Sequence, residues 1–124
     1  MGVGAMLSRR ELIDYCLAFP GAYEDYPFDE EWTAMRHRLN KKTFAFIYER
    51  NGNLCVNLKC EPMHAEFLRE VNPSVTPAYH MNKVHWNTVT ISDSLVEEDL
   101  YEMIVHSYRL IMPKIKKQER KHTD

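Results

Sequence analysis

Asn51-Gly52 stands between two runs of alternating apolar and polar residues, and no other pair in the chain restricts the fold so strongly. Asn and Gly accept the positive φ that a two-residue hairpin turn demands, so the pair joins two antiparallel strands. Thr43–Glu49 precedes it, with Phe44, Phe46 and Tyr48 on one face and Ala45 and Ile47 on the other. Asn53–Cys60 follows, with Leu54, Val56, Leu58 and Cys60 opposing Cys55, Asn57 and Lys59. Strand side chains alternate with period two. One face of the hairpin is therefore apolar and needs a cover, while the other collects Asn57 and Lys59.

The flanking segments extend this pattern. Trp32–Leu39 puts Thr33, Met35, His37 and Leu39 on one side and Trp32, Ala34, Arg36 and Arg38 on the other. His85–Ile91 reads as a fourth strand, with His85, Asn87, Val89 and Ile91 inward and Trp86, Thr88 and Thr90 toward the arginine-bearing face. Ser8-Arg9-Arg10-Glu11 is a capping box. Leu12, Tyr15, Cys16 and Phe19 continue it at helical spacing until Pro20-Gly21. Glu61-Pro62 opens a second helix, with Ala65, Phe67, Leu68 and Val71 as its apolar contacts, and Asn72-Pro73 closes it. Ser94-Leu95-Val96-Glu97 reads as another capping box. Glu97, Glu98 and Asp99 complement the helix dipole there, and Leu100, Met103, Ile104, Ser107, Tyr108 and Ile111 form the third stripe. Pro113 kinks or ends this helix.

Ala22–Glu31 reads as a solvated acidic loop, because its carboxylates lack the spacing of a calcium loop. Ala78–Val84 reads as a turn-rich connection. The order helix, three strands, helix, strand, helix predicts an α+β two-layer sandwich, an antiparallel sheet with helices packed on one face.

A chain of 124 residues fits one domain, here 1–124, with 1–7 a flexible lead-in and 116–124 a basic tail. No apolar run reaches membrane-spanning length, and the N-terminus lacks the charged-then-apolar pattern of a signal peptide. Cys16, Cys55 and Cys60 are odd in number and follow no framework spacing, which points to reduced thiols and a cytoplasmic home. Cys16, on the apolar helix face, is expected to be a small buried hydrophobe. A net charge of −2 and a pI of about 6.3 argue against a strong non-specific nucleic-acid binder unless a basic patch is local.

Chemistry concentrates between Pro77 and Val89, where two histidines, a lysine, two asparagines, a tyrosine and a tryptophan fall together. His80 and His85 can exchange protons near neutral pH. No nucleophile motif or Gly-rich phosphate loop accompanies them. Both are therefore read as fixing the loop against the sheet, and no catalytic residue is assigned. Cys60 and His64 lack a second pair at zinc spacing, so no metal or cofactor is assigned. The recognition candidates are Arg36, Arg38 and Lys59 on the sheet, Lys41 and Lys42 at a turn, and Lys83, His85 and Trp86 nearby. Such cations contact phosphates and an exposed Trp stacks on a base. An exposed Trp among arginines equally suits a protein or ligand contact. Nucleic acid and protein both stand as partners, for a monomer or a dimer.

Phe19-Pro20-Gly21-Ala22, Phe44-Ala45, Leu58-Lys59-Cys60, Pro77-Ala78-Tyr79-His80-Met81-Asn82-Lys83, His85-Trp86-Asn87-Thr88-Val89 and Ser107-Tyr108 together resemble the MmcQ/YjbR family of small bacterial proteins. The resemblance implies a CyaY-like (frataxin-like) sandwich and DNA binding through two β wings. It also raises iron on Glu97, Glu98, Asp99 and Glu102, although dipole compensation already accounts for most of these acids. Two departures stand out. Lys41-Lys42-Thr43 replaces the Gly-Lys usual before Phe-Ala, and Pro113 interrupts a closing helix that usually runs on.

Overall fold

In the computed structural model, which describes residues 7–114, the chain runs α1 (Arg9–Leu17), β1 (Ala22–Asp25), β2 (Thr33–His37), β3 (Thr43–Arg50), β4 (Asn53–Lys59), α2 (Pro62–Val71), β5 (Val75–Pro77), β6 (Trp86–Thr90) and α3 (Glu97–Ile111). The strands form one antiparallel sheet in the order β1-β2-β3-β4-β6-β5. The helices lie on one face, giving the two-layer α+β sandwich.

The hairpin forms as its turn residues dictate. Asn51 and Gly52 both take positive φ, 54° and 78°, which matches the twist of the flanking strands. β3 and β4 then pair from Arg50↔Asn53 to Ala45↔Leu58. Ser8 caps α1 reciprocally with Glu11: the Glu11 amide donates to Ser8 Oγ at 3.1 Å, and the Ser8 amide donates to Glu11 Oε1 at 2.8 Å. These bonds hold the Glu11 carboxyl below its usual range.

The core lies between helices and sheet. It gathers Leu12, Ile13 and Cys16 of α1, Met35, Ala45, Ile47, Val56, Leu58 and Val89 of the strands, and Leu100, Met103, Ile104 and Ile111 of α3. Burial raises the Cys16 thiol to about 12, so it stays protonated and packs as an apolar group. Ser107 joins α3 to the sheet: its Oγ donates to the Phe44 carbonyl at 2.6 Å and accepts from the Lys59 amide at 2.9 Å.

Several expectations change. Ala22–Asp25 is not loop but an edge strand, because pairing with β2 supplies the hydrogen bonds its polar sequence does not advertise. Val75–Pro77 likewise adds a second edge strand beside β6. Phe44 leaves the face of Phe46 and Tyr48, because the register shifts between Met35 and Arg36 and makes it the extra residue of a bulge. Its ring turns to the helix side, against Phe19 and Tyr108. β2 ends at His37, so Arg38 and Leu39 lie in an exposed turn rather than on the sheet. Val96, extended at φ −81° and ψ 129°, caps α3 without a side-chain bond, so Ser94 forms no capping box. Phe67 and Val71 are 54% and 58% exposed instead of buried, and only Ala65 of α2 is fully covered. α3 stops at Ile111, as Pro113 requires. Leu7 packs against the core; the rest of the lead-in and the 116–124 tail lie outside the described residues. No helix among the described residues is long and apolar enough to cross a membrane.

Candidate functional site

Alternation sends Ala34 and Arg36 of β2, Phe46, Tyr48 and Arg50 of β3, Asn57 and Lys59 of β4, and Trp86 and Thr88 of β6 to the sheet face away from the helices. Two loops fold onto this face. The β1–β2 loop contributes Phe28 and Trp32, and the β5–β6 loop contributes Tyr79, His80 and Met81.

The second loop is tied down by a buried polar cluster. Tyr48 Oη and Thr88 Oγ1 both donate to Asn57 Oδ1, at 2.7 and 2.6 Å. Asn57 Nδ2 donates to the Tyr79 carbonyl at 2.9 Å, and the Tyr79 amide donates to Thr88 Oγ1 at 2.8 Å. Every partner is satisfied, which is what makes a buried polar cluster tolerable. Burial pushes the Tyr48 hydroxyl up to about 12, so it remains a donor. Asn82 Oδ1 accepts from the Val84 amide at 2.8 Å and closes the loop's far turn.

Aromatic rings pave the face. Trp32 stacks on Tyr48 with centroids 4.0 Å apart and planes within 8°. Tyr79 lies against both, and Arg50 sits 3.9 Å from the Tyr79 centroid in a cation–π contact. Phe46 continues the paving to Trp86 on one side and to Phe28 and Trp32 on the other. Between the loops a cleft of about 330 Å³ opens, lined by Phe28, Asp29, Trp32, Phe46, His80 and Met81. His80 holds φ 60°, a left-handed conformation that few non-glycine residues adopt.

The basic candidates converge at one end of the sheet, where β2 and β4 end and β3 and β6 begin. Arg38, Lys41 and Lys42 form the exposed β2–β3 turn. Lys59 closes β4 opposite Trp86, and Lys83 and His85 directly precede β6, exposed. The C-terminus of α3 reaches the same end, since Asn40 Nδ2 donates to the Ile111 carbonyl at 2.7 Å; Arg109 and Lys114 therefore lie there too. Arg36 is placed differently from a free cation: it pairs with Asp25 at 3.0 Å and donates to the Lys41 carbonyl at 2.8 Å. His85 does not turn inward with Val89. Its carbonyl accepts from the Cys60 amide at 2.8 Å while the side chain stays exposed. Sequence reasoning brought Trp86 to the face of Arg36 and Lys59. It missed Phe28 and Arg50, which reach this face only once the loops and strands are assembled.

A second cleft, of about 270 Å³, lies on the helix side between α2 and α3 and takes in Cys60, His64, Phe67, Val71, Glu102 and His106. Burial pushes the Cys60 thiol up to about 11. Among the described residues no group of three or more His, Cys, Asp and Glu side chains is placed to hold a metal ion.

Comparison with known proteins gives consistent relatives. A family model described as YjbR matches residues 17–110. The chain is 34% identical over 111 residues to the Escherichia coli K12 protein YjbR, covering 90% of this chain and 92% of that one. It is 28% identical over 117 residues to Bacillus subtilis YyaQ, covering 85% and 98%. Among solved structures, a Deinococcus radiodurans protein with a domain described as DUF419 superposes with a TM-score of 0.80 at 33% identity, covering 94% of this chain and 88% of that one. A Pseudomonas syringae protein gives 0.76 at 29%, covering 86% and 100%.

Proposed function

The chain belongs to the YjbR family, and from that premise we propose that it binds nucleic acid through the basic end of its sheet and the Trp86 ring beside it. One observation carries the reading. Arg38, Lys41, Lys42, Lys59 and Lys83 come from separate segments, yet the topology brings them to one end, next to Trp86. Among the described residues none of these side chains is in an ion pair with a carboxylate. A small cationic end suits phosphate contact, and the Trp86 ring suits stacking on an unpaired base. The overall charge of −2 keeps such binding weak and salt-sensitive.

Fluorescence anisotropy with labelled single-stranded and duplex DNA at two salt concentrations tests this, with wild type and an R38E/K41E/K42E variant. These side chains are exposed, so the variant should keep the fold, which its circular dichroism spectrum checks. Binding that weakens with salt and falls about tenfold or more in the variant supports the reading, since several phosphate-neutralising cations are removed together. No binding at low salt, or binding indifferent to the charge reversal, overturns it. The aromatic cleft favours a second reading, a small-ligand contact on the same face.

A further inference from the structure

We infer that the cleft between Phe28, Trp32 and Phe46 is a binding site for a small quaternary ammonium group. The inference rests on the ligand reading of this face and is independent of nucleic-acid contact at the basic end.

The walls come first. Phe46 lies near-parallel to Phe28 at 6.1 Å and steeply inclined, by 64°, to Trp32 at 6.2 Å, so ring surfaces converge on the cleft from different directions. Met81 adds a polarisable thioether. Phe28 is 70% exposed, so its ring is open to an occupant of the cleft. Tyr48 backs the Trp32 ring at 4.0 Å and holds it in place.

Charge selects the occupant. Asp29 is the only carboxylate among the lining residues. Its Oδ1 accepts from the amides of Glu31 and Trp32, at 2.9 and 3.3 Å, which fixes the carboxylate at the rim and leaves Oδ2 without a partner among the described residues. Glu30 and Glu31 follow it in the same loop. An anion is therefore repelled here, whereas a cation gains both the ring quadrupoles and the carboxylate. The same paving already holds one cation, the Arg50 guanidinium over Tyr79.

Hydrogen bonding then separates kinds of cation. A guanidinium carries five N–H donors that need acceptors. Apart from Asp29, the cleft's side chains offer only His80 as a nitrogen acceptor. A quaternary ammonium carries no N–H and leaves nothing unsatisfied. Ligand pockets span about 300–1,000 Å³, so a cleft of about 330 Å³ suits a small head group.

The test is an NMR titration of the full chain with tetramethylammonium chloride, following the Trp indole N–H signals, with sodium chloride at equal ionic strength as reference. Saturable shifts with tetramethylammonium alone are expected. Phe28→Ala should weaken binding about tenfold and Asp29→Asn severalfold, the range of a partly desolvated cation–π site. Asparagine keeps the Oδ1 acceptor and removes only the charge, and Phe28 supports no core packing, so both variants should keep well-dispersed spectra. The R38E/K41E/K42E variant should bind tetramethylammonium like wild type, which separates this site from the nucleic-acid reading. No saturable shift, unchanged affinity in Phe28→Ala, or tighter binding of guanidinium than of tetramethylammonium would each overturn the assignment.

Discussion

His106 Nε2 is buried and has no hydrogen-bond partner among the described residues. Glu61 Oε1, at 3.9 Å, is too far for one. Desolvation is the main reason its imidazole is held below the usual histidine value of 6.5, and the nearby His64 pushes the same way while Glu61 opposes both. The folded chain resists protonating His106, so below about pH 6.5 the unfolded chain binds the extra proton. Stability is then complete above about 6.5 and declines as pH falls toward the lower, folded value. Urea unfolding across this range should show stability rising with pH in wild type, and a shallower rise in His106→Gln. Equal slopes would show that His106 is not responsible. The free nitrogen also marks the α2–α3 cleft as a place where local satisfaction is incomplete, in contrast to Asn57, whose amide spends its oxygen and nitrogen on the sheet and loop.

At the level of elements, the joint between α1 and β1 depends on Gly21. It sits at φ 75°, and a β-carbon there would lie 2.7 Å from the His37 ring. His37 cannot simply swing away: it is buried, and its Nδ1 accepts from the Leu39 amide at 3.1 Å. Gly52 has a similar φ of 78° with open space around it. Gly52→Ala should therefore cost about 1 kcal/mol from backbone strain alone, and Gly21→Ala about 2 kcal/mol or more because the clash is added. Denaturation midpoints of the two variants check the order; equal losses would mean that His37 yields freely. Elements of this kind also decide what a sequence discloses. The hairpin was legible because Asn51-Gly52 carries its own turn geometry. α1 was legible because Ser8 and Glu11 cap it locally. β1 was not, because its register comes from β2 rather than from its own pattern. The bulge at Phe44 was hidden too, since one inserted residue reverses a face without altering local composition. In the candidate site, alternation put Trp86 on the same sheet face as Arg36 and Lys59. The Phe28–Trp32 walls and the Arg50–Tyr79 contact arise from segments far apart in the chain, so no local signal announced them.

At the scale of the whole molecule, net charge misleads because charge is unevenly distributed over the described residues. Asp29, Glu30, Glu31, Glu49, Asp93, Glu97, Glu98 and Asp99 gather where β2 begins and α3 starts. The arginines at that end are already engaged: Arg9 donates to the Glu31 and Ile47 carbonyls, Arg10 pairs with Glu24 at 2.8 Å, and Arg50 lies over Tyr79. The opposite end carries, among the described residues, Arg38, Lys41, Lys42, Lys59 and Lys83, with Arg109 and Lys114 at the close of α3 beside them. A polyanion approaching this protein is steered to one end and repelled from the other. Among the described residues, that geometry limits the phosphates that can be neutralised to about the number of these cations. The slope of log K against log salt should then fall between about −4.5 and −6.3 on duplex DNA and between about −3.5 and −4.9 on single strands, roughly 0.9 and 0.7 for each of five to seven phosphates neutralised. Binding measured at several salt concentrations checks both values. A slope near zero would remove phosphate contact from the account. A slope near −10 would require further cations. Slopes within the stated ranges, shrinking in R38E/K41E/K42E by about one for each phosphate no longer neutralised, would tie the affinity to the few side chains that the sheet topology assembles.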